Sequence, residues 1–271
     1  LFAERIVEID PRTCLDNASV GIIIERTFCL FLKLSHNHQV LDSFFIKKTL
    51  GGRMKFTDEL LEQNLDLWEG YLKHPFVKGI AEGDLNIDHF RYYMIQDYIY
   101  LFDYVKVFSL GLVKCDSFED QNLMSASIAG VLWEVENVHK KYMERIGISE
   151  DEIENTPVHI DNTSYTKYML YCGYEGDYFD ILMAILSCVW SYHYIAEKIN
   201  GKDPKAKEHE FYGQWISSYI SDEFRSLKEG LVQRANELAK EVSKKQLEKA
   251  HRIFRNCSIY EMQFWEMAIK R

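Results

Sequence analysis

From residue 54 onward, apolar residues recur at three- and four-residue steps with little punctuation, the period of helices whose apolar stripe faces a core. The pattern predicts about eight helices, near 56–72, 75–81, 86–113, 117–145, 161–174, 177–199, 204–239 with a break near residue 220, and 244–270. Gly83, Gly147, Gly176 and Gly201 mark several of the expected ends. Only four prolines interrupt the chain, while Leu, Glu and Lys are plentiful, a balance that favours long helices. The expected fold class is all-α, with residues 54–271 forming a single domain.

Residues 1–53 read differently. They carry seven basic and six acidic residues, whereas the whole chain has 32 Lys and Arg against 42 Asp and Glu, a net charge of −10. The acidity therefore lies in residues 54–271. The apolar stretch from Val20 to Leu34 is interrupted by Glu25, Arg26 and Lys33, which makes it too broken for a bilayer span or a signal-peptide core. Because the first methionine is Met54 and the segment before it lacks a strong period of its own, residues 1–53 are expected to be an N-terminal extension translated upstream of the start. The other reading is a genuine N-terminal arm.

Charge and cysteine usage narrow the function classes. A net negative chain argues against sequence-independent binding of nucleic acid or of anionic membranes, both of which need clustered positive charge. The six cysteines are scattered without a C-x-x-C pair, so neither a disulfide frame nor a zinc site is indicated, and a reducing cytoplasm is the expected compartment. The chain also lacks a phosphate-binding glycine loop, a dinucleotide fingerprint and a G-x-S-x-G elbow.

Three helices carry candidate chemistry. In 86–113, Phe90, Tyr93, Asp97, Tyr100, Tyr104 and Phe108 follow at three- and four-residue steps and share one face. A carboxylate on an aromatic face must be paired, protonated or open to a cavity, since burying it unpaired is costly. In 177–199 the stripe Ile181, Ile185, Cys188, Tyr192, Ile195 and Ile199 contains a thiol, for which core packing is the ordinary role. In 244–270, Glu261 lies in an almost wholly apolar run. Seventeen tyrosines are many for a bundle core, where each buried hydroxyl needs a partner, and they suggest a lined cavity. Glu136 and His139 form an E-x-x-H pair, the spacing with which bundles hold di-iron, but such sites need the pair twice and it occurs once. A surface or structural role for Glu136 and His139 is expected, and no metal.

Several ordered segments then resemble one family. They are Trp68-Glu69, His74 to Ile80, Gly83-Asp84-Leu85, Tyr92-Tyr93 and Gln96-Asp97, followed by Ser164-Tyr165-Thr166, Cys188-Val189-Trp190, Trp215-Ile216 and Tyr260 to Trp265. Residues 54–271 resemble the thiaminase II (TenA) family over essentially their whole length, in its cysteine-containing branch. The resemblance implies a haem-oxygenase-like helical bundle without haem or other cofactor, commonly a homotetramer, acting on thiamin or its degraded aminopyrimidine. It also implies roles: Asp97 grips the aminopyrimidine, Cys188 is the nucleophile and Glu261 the proton donor. Tyr192 and Tyr219 match substrate-contacting tyrosines, Tyr165 and Phe264 match pocket-lining positions, and Tyr100 matches a residue that tunes the thiol. The expected activity is an aminopyrimidine aminohydrolase. A di-iron oxidase of the same fold and a non-catalytic pyrimidine-binding protein are the alternatives.

Overall fold

The computed structural model describes residues 54–270; the expectation for residues 1–53 lies outside them. Among the described residues every regular element is helical. They are α1 (Phe56–Tyr71), α2 (Pro75–Glu82), α3 (Ile87–Lys114), α4 (Phe118–Glu134), α5 (Lys140–Arg145), α6 (Glu150–Asn155), α7 (Ile160–Glu175), α8 (Tyr178–Lys202), α9 (Gly213–Tyr219), α10 (Asp222–Leu238) and α11 (Lys244–Ile269). A π-turn, Val135–His139, joins α4 to α5, and a 3-10 turn, Ala206–Glu208, precedes α9.

The helices begin where polar side chains satisfy the free N–H groups of the first turn. Asn86 caps α3, Ser117 caps α4, Asp177 and Asp180 close a capping box on α8, and Ser243 and Gln246 do so on α11. Gly83 and Gly147 end α2 and α5 with φ of 75° and 77°, the left-handed conformation that glycine adopts freely. Gly201 corrects the sequence reading, since α8 runs through it to Lys202. The predicted helix over 117–145 is interrupted by the π-turn, α6 was not anticipated, and residues 204–212 contain only the 3-10 turn.

α8 is the axis of the bundle, packed against α3, α7, α10 and α11, while α1 and α2 lie against α11 and α4 lies along α3. It is long and apolar enough to cross a membrane, but it is largely buried inside the bundle, as expected of a helix that is apolar all round. Small polar contacts fix its register on α11. Ser187 and Ser258 share a hydrogen bond of 2.9 Å, and Trp68 of α1 donates its indole N–H to the Ser258 Oγ at 3.2 Å. The Trp68 ring stacks on Phe254 of α11 at 5.8 Å and meets Trp190 of α8 edge-on at 5.4 Å.

α10 is tied to the bundle by a buried ion pair. Arg234 Nε and Nη2 donate to the two carboxylate oxygens of Asp120 at 2.6 and 2.7 Å, and Tyr178 of α8 donates to the same carboxylate at 3.0 Å. Burial works against the Asp120 charge, but Arg234, Ser117 and Tyr178 outweigh it and hold its carboxyl below the usual range. Its contribution to stability is thus present above the ordinary carboxylate pKa and is lost as pH falls through the depressed value. Arg234→Met leaves this carboxylate without its cation and is expected to cost about 3 kcal/mol at pH 7, and less at pH 3, in urea denaturation.

Candidate active site

Three stripes read from the sequence converge on one cavity. Asp97, Tyr100 and Tyr104 of α3, Cys188 and Tyr192 of α8, and Glu261 and Phe264 of α11 all line it. Tyr165 of α7 and Tyr219 of α9 close two more sides. All eight residues singled out for a site role are thus gathered in one place. Val131 and Glu134 of α4, with Phe224 and Leu227 of α10, complete the wall.

The walls are aromatic and mutually braced. Tyr192 and Tyr219 lie with ring centres 4.8 Å apart, and Tyr100 packs against Tyr165 at 5.4 Å and edge-on to Phe264 at 5.7 Å. Tyr93, also on the α3 stripe, donates its hydroxyl to the Tyr192 hydroxyl at 3.3 Å and accepts the Trp215 indole N–H at 3.3 Å. Tyr104 donates to the Ile185 carbonyl at 3.3 Å. These bonds fix the rings as flat faces, between which a six-membered heterocycle can be held.

The floor holds a carboxyl and a thiol in contact. Glu261 is buried, with 1% of its surface exposed, and its Oε1 accepts the Tyr165 hydroxyl at 2.6 Å. Burial pushes the Glu261 carboxyl up to about 7, the Asp97 charge adds to that, and hydrogen bonds from Tyr165, Cys188 and Tyr192 pull against it. The Cys188 thiol is pushed well above its ordinary value by burial and then by the Glu261 charge, with the Tyr100 hydroxyl pulling it back. Tyr100 also has the Met169 sulfur at 3.6 Å. The other described cysteines, Cys115, Cys172 and Cys257, are buried, whereas Cys188 is part-buried and is the one among them that lines the cavity. A thiol that does not ionise unaided, beside a carboxyl that titrates near neutrality, forms an acid–base pair around a nucleophile.

Asp97 lines the same cavity, and its Oδ2 lies 2.8 Å from the Nε2 of His139. The E-x-x-H pair is therefore split: Glu136 is exposed and bonds Lys140 at 2.6 Å, while His139 is buried against the site. No group of three His, Cys, Asp or Glu side chains among the described residues is arranged to hold a metal ion.

The family model described as TENA/THI-4/PQQC matches residues 61–271. The chain belongs to this family. It is 39% identical over 215 residues to an aminopyrimidine aminohydrolase of Halalkalibacterium halodurans, covering 79% of this chain and 96% of that one. The fold is shared with a crystal structure described as a TenA family transcription regulator from Silicibacter sp. TM1040, with a TM-score of 0.73, 24% identity, and coverage of 80% of this chain and 97% of the other. A domain of unknown function with a heme oxygenase-like fold from Shewanella denitrificans matches with a TM-score of 0.57 at 14% identity, covering 81% of this chain and 94% of that one. The all-α, haem-oxygenase-like architecture expected from sequence is thus the one observed.

In this TENA/THI-4/PQQC chain, sequence reasoning did not single out Glu134, Phe224 or Leu227, and it gave His139 a surface or structural role without showing that it meets Asp97. The clue to His139 was the unpaired E-x-x-H, which was weighed for metal, set aside as surface or structural, and not followed to a partner. The Glu261 carboxyl carries a cost that can be measured. Because its folded pKa is raised, stability relative to an uncharged side chain falls as pH rises from about 4.5 to about 7. Glu261→Gln is expected to be more stable than the parent at pH 8, by on the order of 3 kcal/mol, and equal to it near pH 4, in thermal or urea unfolding.

Proposed function

We propose that the protein is an aminopyrimidine aminohydrolase of the thiaminase II type, hydrolysing thiamin or 4-amino-5-aminomethyl-2-methylpyrimidine to 4-amino-5-hydroxymethyl-2-methylpyrimidine in thiamin salvage. The observation that carries this reading is the meeting of the Cys188 thiol, the Glu261 carboxyl and the Asp97 carboxylate around one aromatic cavity. The name borne by the Halalkalibacterium halodurans relative supports it.

In this reading the ring lies between the aromatic faces, with Asp97 on its amino and ring-nitrogen edge through charge-assisted hydrogen bonds. Tyr192 and Tyr219 contact the substrate, while Tyr165 and Phe264 line its pocket. Glu261, half ionised near neutrality, takes the Cys188 proton as the sulfur adds to the ring carbon next to the one bearing the methylene. The C–S bond forms, the ring loses aromaticity, and its electrons expel the leaving group as the methylene–nitrogen bond breaks. The proton on Glu261 passes to the departing amine; when thiamin is the substrate the thiazole leaves as a neutral base and that proton is released to water instead. Water then adds to the exposed methylene, giving one proton back to Glu261, and the C–S bond breaks to restore the ring and the thiol. No metal or cofactor is called for. Tyr100, beside the sulfur, favours the thiolate.

The reading extends to assembly and compartment. α3, α4 and α7 leave Phe102, Val113, Leu132, Trp133, Tyr171 and Tyr174 exposed, apolar surface of the kind that self-association covers, in keeping with a homotetramer. A reducing cytoplasm keeps the Cys188 thiol free.

A chromatographic assay for hydroxymethylpyrimidine released from each of the two substrates tests the activity and ranks them. Cys188→Ser is expected to lower turnover by about 10³-fold or more while pyrimidine binding stays measurable. A serine variant with parental turnover excludes covalent catalysis. Light scattering after gel filtration is expected to give four chains per particle, and Tyr171→Glu to reduce that number.

A further inference from the structure

The Asp97 carboxylate is backed by an arrangement that the chemistry so far leaves unused. His139 Nε2 lies 2.8 Å from Asp97 Oδ2, and its buried Nδ1 faces Glu134, whose Oε1 is 3.8 Å away. Glu134 itself lines the cavity. An imidazole is thus flanked by two carboxylates, one of them placed to touch the ring. The backbone is bent to achieve this. Residues five apart on an α-helix point roughly 140° away from each other, but the π-turn Val135–His139, with its i→i+5 hydrogen bonding, brings Glu134 and His139 to one side.

The ligand explains why such backing is needed. The amino and ring-nitrogen edge of a 4-aminopyrimidine offers a donor beside an acceptor, whereas an ionised carboxylate is an acceptor only. A neutral ring nitrogen would therefore set its lone pair against a carboxylate oxygen. Two-point binding requires a proton on that nitrogen, and a fixed anion beside it favours the protonated ring. The same proton withdraws electrons from the ring and opens it to addition by the thiol.

We propose that His139 and Glu134 are positioning residues for Asp97: His139 anchors one carboxylate oxygen, Glu134 keeps the imidazole cationic, and Asp97, so held, binds the aminopyrimidine as its ring-protonated cation. The inference rests on Asp97 being the pyrimidine-gripping group. Burial by itself pulls the His139 imidazole down, but the hydrogen bond and charge of Asp97 and the charge of Glu134 outweigh it, so the ring stays protonated above its ordinary range. Asp97 faces it from α3 and Glu134 from α4. Tyr219 of α9, Tyr192 and Cys188 of α8, and Glu261 of α11 line the same cavity and lie near enough to feel the Asp97 charge.

The test measures calorimetric binding of 4-amino-5-hydroxymethyl-2-methylpyrimidine from pH 5 to 9, together with KM and kcat, for the parent, His139→Gln, His139→Leu and Glu134→Gln. In the parent, binding should persist past the ordinary histidine range and weaken as pH rises through the raised value. His139→Leu should raise Kd and KM by about 10- to 100-fold, the worth of a hydrogen bond to a charged group, with a smaller change in kcat. His139→Gln, whose amide can still donate, should recover most of that loss near neutrality and abolish the alkaline weakening. Glu134→Gln should move the weakening to lower pH, and the change belonging to Glu261 should remain in every variant. Parental Kd, KM and pH profile in His139→Gln and Glu134→Gln, with only a lowered Tm, would overturn the inference, and those two variants decide it even if His139→Leu fails to fold. A parent protein that binds no pyrimidine at any pH overturns instead the assignment of the site on which the inference stands.

Discussion

The Glu261 carboxyl is packed among aromatic rings, 2.6 Å from the Tyr165 hydroxyl and against the Cys188 thiol, and it forms no ion pair among the described residues. A charge in such a place has lost most of its hydration, and only hydrogen bonds replace it. The surrounding hydroxyls are few enough that the neutral acid competes with the anion near neutrality, and numerous enough that the anion is still reached. The tyrosines that exclude water are also the donors that make ionisation possible. The abundance of tyrosine, which a packed core of Leu and Ile would not need, follows from this double duty.

Holding such a group in place is a matter of register between α8 and α11. The bond between Ser187 and Ser258, with Trp68 donating to the latter, sits one residue before Cys188 and three before Glu261. Three helices therefore meet at one small polar seam within an otherwise apolar interface. A slide of α8 along α11 would break that seam, leaving buried hydroxyls unsatisfied, and would separate sulfur from carboxyl at the same time. Stability of the bundle and alignment of the site are coupled through these two serines.

Much of this was legible in the sequence, and for a physical reason. Helical periodicity places Asp97 with Tyr100 and Tyr104, Cys188 with Tyr192, and Glu261 with Phe264 on single faces, so each wall of the cavity is written locally. Which faces meet is not written locally, and the convergence of α3, α8 and α11 was reached through resemblance rather than through spacing. His139 escaped for a sharper reason. Read on a regular helix it shares a face with Glu136, but the π-turn changes the rotation, Glu136 goes to solvent, and the imidazole turns inward to Asp97 and Glu134. The break near residue 220 was anticipated, whereas the irregular stretch before α9 was not.

The π-turn also bears on how such proteins diverge. It accommodates one residue more than an α-helical path would, so the inward facing of His139 depends on chain length as well as on the identity of the side chain. A descendant could keep the letters of Glu134 and His139 unchanged and still lose their meeting with Asp97 by dropping a single residue between them. Among proteins of this shape, small insertions and deletions within one helix are therefore a route to altered chemistry that a count of matching residues does not register.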